Sequence, residues 1–132
     1  RADGKDPANA RIRIQGLFNV VARDPKQAME ELAPFFHHAN NSYGVWLNED
    51  RESTGFAETA TLKPMSVADF KTSGILKILT PGQAIDAFRS MLARAPIEHY
   101  MMMYPPGMAP DRFAPYAQLF ASEVMPAFRQ PG

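Results

Sequence analysis

Asp24-Pro25-Lys26-Gln27-Ala28-Met29 and Thr80-Pro81-Gly82-Gln83-Ala84-Ile85 are two copies of one helix-start device, and an apolar run precedes each. Asp24 and Thr80 can cap a helix. Pro25 and Pro81 suit its first position, and Gln27 and Gln83 can reach back to close a capping box. Pro110-Asp111 opens a third segment in a similar way. A strand–turn–helix unit used repeatedly constrains the fold class more than any other feature of the chain. It predicts α/β architecture with parallel strands and helical crossovers.

The second copy is the clearest. Ile75–Leu79 reads as a strand. Apolar residues at Ile85, Phe88 and Leu92 then recur at helical spacing, and Ala95-Pro96 ends the helix. Ile97–Tyr104 runs with little polar interruption into Pro105-Pro106-Gly107. Such a strand is expected to be buried on both faces, as in a parallel sheet covered by helices. In the first copy Arg11–Ala22 is the strand, and Met29, Leu32, Phe36 and Tyr43 lie on one face of the helix. Pro34 predicts a kink or a restart in that helix.

These readings divide the chain into a polar lead-in over 1–10, a βα unit over 11–46, an irregular insertion over 47–73 and two βα units over 74–129. Within the insertion, Ser66 and Asp69 predict a short capped helix over Met65–Thr72. The last helix, beginning at Pro110, carries Phe113, Ala117, Phe120 and Val124 on its apolar face.

The chain has 132 residues, enough for one hydrophobic core, with 14 basic and 14 acidic side chains. A neutral chain without a basic block offers neither a nucleic-acid groove nor a surface for anionic membranes. The absence of cysteine excludes disulfides, thiolate metal sites and cysteine nucleophiles, and fits a reducing cytoplasm. No apolar run is long enough for a membrane span.

Residues with chemistry are few. His37 and His38 are adjacent, so on a helix they diverge by about 100° and do not share a metal ion; no metal site is expected. His99, beside Glu98, is expected to be a buried, satisfied histidine. Met101-Met102-Met103 reads as soft core, with Met102 able to line a pocket. Tyr104 falls at the C-terminal end of its strand, the edge where parallel α/β folds build sites. Tyr43 closes the hydrogen-bonding run Asn40-Asn41-Ser42. Tyr43, Met102 and Tyr104 are therefore the substrate-pocket candidates, and no catalytic residue is assigned.

Several segments together resemble a known family. They are Phe18-Asn19-Val20-Val21-Ala22-Arg23-Asp24-Pro25, Ala39-Asn40-Asn41-Ser42-Tyr43-Gly44-Val45-Trp46, Leu79-Thr80-Pro81-Gly82-Gln83-Ala84, Ala95–Met103, Pro105-Pro106-Gly107 and Phe120–Arg129. In order and spacing they are similar to the C-terminal half of luciferase-like flavin-dependent monooxygenases. The resemblance implies the last three units of a (β/α)8 TIM barrel. It also implies reduced FMN, commonly supplied by a flavin reductase, O2 as co-substrate and a small organic substrate; some members use the deazaflavin F420 instead. A barrel of this kind takes about 250 residues. The resemblance therefore implies a chain that is inactive alone and that either joins an N-terminal half or self-associates to cover its open strands.

Overall fold

A computed structural model describes residues 9–16, 19–54 and 63–129. The element order is β1 (Ile12–Gly16), β2 (Asn19–Val21), α1 (Pro25–Thr54), α2 (Val67–Thr72), β3 (Lys77–Leu79), α3 (Pro81–Leu92), β4 (Ile97–Met102) and α4 (Pro110–Leu119). A π-helical turn, Phe120–Val124, and a 3-10 turn, Met125–Phe128, follow α4. The chain is mixed α/β, as the repeated helix-start device predicts.

The strand candidate over 11–22 is divided between β1 and β2, and each part takes its own parallel partner. β1 pairs with β4, and β2 pairs with β3. β3 and β4, consecutive in sequence, are not paired with each other. The β1–β4 register skips Glu98, which sits in a bulge between the pairs Ile12–Ile97 and Arg13–His99.

The core divides on β2 because successive residues of a strand face opposite ways. Val20, with its register partner Ile78, packs among Leu32, Phe36 and Phe70 beneath α1 and α2. Val21, with its partner Leu79, packs with Ala84, Phe88 and Val124 beneath α3 and the C-terminal turns. β2 and β3 thus meet helices on both faces, as expected of a parallel sheet.

β4 does not. Tyr100 and Met102 face α3, where the Tyr100 and Phe88 rings meet edge to face at 4.6 Å. Glu98, His99 and Met101 are exposed, Met101 at 56%. The expected burial on both faces fails because α1 lies over the β2–β3 pair. The expected buried histidine fails with it, since His99 lies on the uncovered side.

The helix starts follow the sequence. The Lys26 and Gln27 amides donate to Asp24 Oδ1 at 3.0 and 3.1 Å. Thr80 and Gln83 form a reciprocal capping box, with Thr80 N–H donating to Gln83 Oε1 at 3.0 Å. Ser66 caps α2 by accepting from the Asp69 amide at 3.1 Å. α1 passes through Pro34 as one element and extends over Leu47–Thr54, so the first part of the supposed insertion is helix. Pro34 is solvent-exposed. The Thr-rich run of the insertion and most of the lead-in lie outside the described residues. In the last helical segment Phe113, the half-buried Tyr116 and Val124 face inward, whereas Ala117 is exposed.

Two substitutions test this packing. Thr80→Ala is expected to lower unfolding free energy by about 1 kcal/mol in urea melts, with Thr80→Ser close to wild type. A Cβ on Gly16 would stand 1.7 Å from the Tyr100 hydroxyl and 2.2 Å from its ring. Gly16→Ala is therefore expected to displace that ring from Phe88 and cost roughly 1–3 kcal/mol, whereas Gly82→Ala, in open space, has no such clash.

Candidate functional site

Where β2 ends, the chain turns into α1 past Ala22, Arg23 and Asp24. This is the carboxyl edge of a parallel strand pair, the edge at which open α/β sheets place their ligands. An open groove of about 500 Å³ lies there, lined by Ala22, Arg23, Asp24, Gln27, Tyr116 and Ser122 among others. α1 supplies one wall through its capped first turn, and α4 with the π-helical turn supplies the other. That volume lies within the usual range for small-molecule sites, about 300–1,000 Å³.

The groove's lining mixes apolar side chains with a few polar ones, and its cation is already paired. Arg23 is in an ion pair with Glu123 across the opening. Tyr116 O–H donates to Glu31 Oε2 at 2.6 Å, and Arg112 donates to the other oxygen of the same carboxylate at 3.1 Å. The Arg112 guanidinium lies 5.6 Å from the centre of the Phe35 ring. This network ties α4 to α1 and holds the groove's width. Burial, then the hydrogen bond to Glu31 and its negative charge, push the Tyr116 phenol up from 10.0 to about 12; Arg112 opposes them. Tyr116 is thus a neutral hydrogen-bond donor at ordinary pH and cannot act there as a general base.

The three pocket candidates do not converge. Tyr43 is 52% exposed on α1 and meets Trp46 edge to face at 5.5 Å. Met102 lines a void of only about 40 Å³ between β2 and α3, beside Val21, Leu79, Phe88 and Met91. Tyr104 donates its hydroxyl to the Met108 carbonyl and stacks edge-on against Phe113 at 5.2 Å, which closes the turn after β4. Within that turn Gly107 adopts φ +81°, a conformation glycine supplies without strain.

The hydrogen-bonding run before Tyr43 has a structural task. Asn41 Nδ2 donates to the Met65 carbonyl at 3.0 Å, and the Met65 amide donates back to Asn41 Oδ1 at 3.3 Å. His37 Nε2 lies 2.6 Å from that carbonyl, which can only accept, so the proton is on Nε2. The His37 ring also packs edge-on against Phe70. Together His37 and Asn41 fasten the chain before α2 to α1. Neighbouring Asn40 is buried, and among the described residues its Nδ2 has no hydrogen-bond partner.

Arg23, Gln27 and Tyr116 are the groove residues that the sequence reading missed. The signal for Arg23 and Gln27 was present, because both flank the first copy of the helix-start device. Tyr116 had none, since its role depends on a helix partner far away in sequence.

The groove does not by itself fit a flavin. Arg23, its one lining cation among the described residues, is committed to Glu123, and no glycine-rich loop presents free amides to a phosphate. The void beside Met102 is too small for the ring system. Among the described residues no group of acidic and histidine side chains could hold a metal ion. Comparison with protein-family models, with curated proteins and with solved structures returns no match.

The state of Tyr116 is open to measurement. Absorbance at 295 nm is expected to show one tyrosine ionising near pH 12, a phase lost in Tyr116→Phe. A phenol whose value rises on folding adds stability that is complete below about pH 10 and is lost as pH climbs through about 12. Wild type and Tyr116→Phe are therefore expected to converge in stability across that window.

Proposed function

We propose that this chain is the C-terminal part of a flavin-dependent, O2-using monooxygenase acting on a small organic substrate. In this reading it supplies closing strands and one wall of the substrate cleft, and it is inactive alone. The observation that carries the reading is the groove at the carboxyl edge of β2, between two repeated βα units. The resemblance of six segments in family order supports it. Because the groove's own residues do not fit a flavin, contacts to FMN would come from residues outside this chain. Reduced flavin would reach the assembled enzyme from a reductase, in the cytoplasm. F420 is the alternative cofactor on the same fold.

The reading makes a structural demand. Successive strands of a (β/α)8 barrel are neighbours, whereas β4 here lies on β1. A (β/α)8 assembly would require β4 to leave β1 for β3 and for a strand of the N-terminal half. The half-covered β1–β4 pair, buried on one face only, is consistent with such an exchange.

A second reading is a non-catalytic association module. The uncovered face of β1–β4 favours it. Mixing the chain with the N-terminal half of a luciferase-like monooxygenase separates the two. The first reading expects neither half alone to bind FMN or F420, and the mixture to quench the fluorescence of one of them stoichiometrically. A mixture that binds neither overturns it.

A further inference from the structure

We infer that the groove between α1 and α4 holds an uncharged small molecule by a carboxamide-type group, one that carries a hydrogen-bond donor and an acceptor side by side. This rests on the reading of the groove as a substrate cleft and names the class of substrate.

The two copies of the helix-start device differ at one side chain. In the second copy Gln83 Oε1 accepts from the Thr80 amide and closes the capping box. In the first, Asp24 Oδ1 accepts from the Lys26 and Gln27 amides, but among the described residues the Gln27 side chain returns no bond to Asp24. Gln27 is exposed and lines the groove instead. Gln118 lines it from α4, and among the described residues its carboxamide is likewise without a partner. Each carboxamide offers two donors and an accepting oxygen. Ser122 joins them from the π-helical turn Phe120–Val124, and single π-helical turns recur at functional sites. Its hydroxyl donates to the Leu119 carbonyl at 3.4 Å, which leaves its lone pairs to accept.

Charge selects an uncharged ligand. Arg23 is paired with Glu123. Asp24 Oδ1 already takes two amides, and Glu31 accepts from both Tyr116 and Arg112. An anion would have to displace Glu123 from Arg23 and would share the groove with the Asp24 carboxylate. A cation would have to draw a carboxylate away from donors it already holds. Either exchange leaves a charged group less well satisfied. Gln27, Gln118 and Ser122 engage a neutral group with no such exchange. Ala22, Ala28, Pro115 and Leu119 add apolar surface for the body of the ligand.

Benzamide, benzoate and benzylamine share one ring and differ in charge at neutral pH, so titrating each into the full chain and following backbone amide NMR shifts tests this. Benzamide is expected to shift Ala22, Gln27, Tyr116 and Ser122 and to saturate at about millimolar concentration. Benzoate and benzylamine are expected to bind about tenfold more weakly, or less. Gln27→Leu and Gln118→Leu are each expected to weaken benzamide roughly fivefold with unchanged circular dichroism. Gln27→Leu keeps the backbone amide that Asp24 caps. Benzoate or benzylamine binding as tightly as benzamide overturns the inference. So do benzamide shifts centred away from the groove, or no saturation with any of the three. The titration uses wild-type chain and no flavin, so it fails or succeeds separately from the mixing experiment with an N-terminal half.

Discussion

The structure depends on one short strand being buried on both faces. Val20 and Val21 are adjacent, point in opposite directions and are each almost fully removed from solvent. One anchors the cluster under α1 and α2; the other anchors the cluster under α3 and the C-terminal turns. β3 follows them in register, with Ile78 and Leu79 dividing in the same way. Burying a valine is worth roughly 1.5–3 kcal/mol, so this pair, with Ile78 and Leu79 of β3, joins the two layers.

Away from that strand the protein is progressively less complete. The β1–β4 pair has α3 on one face and solvent on the other, and its bulge at Glu98 sits on the uncovered side. Glu98 lies 3.6 Å from both Arg13 and His99, but all three are substantially exposed and such pairs contribute little. A parallel pair covered on one face is unusual, since parallel strands are normally enclosed. The same incompleteness underlies both functional readings. In one, an N-terminal half covers the open strands; in the other, a second copy does.

Local chemistry was highly legible. The caps at Asp24, Ser66 and Thr80 form as their spacing indicates, because a cap depends on residues within one turn. The short helix α2 was legible for the same reason. Errors arose wherever a residue's environment is set from afar. Tyr43 has helical spacing with Leu32 and Phe36, but no described element comes to meet it, and it stays exposed. Met102 and Tyr104 stand close in sequence, yet one turns beneath α3 and the other folds back on α4. His99 reads as buried because its strand is apolar, whereas burial requires a helix overhead.

The sequence by itself determined the α/β class, the helix starts, the parallel sense implied by long crossovers, and the absence of thiol chemistry. Periodicity and capping are properties of neighbouring residues, and they survive whatever the rest of the chain does. Only the tertiary structure decided that β4 lies against β1, that Arg23 and Tyr116 frame a groove, and that burial together with Glu31 raises the Tyr116 phenol. Those outcomes depend on which strand edge is closest and which helix crosses which. They are set by contacts between residues far apart in the chain, and no local pattern encodes them.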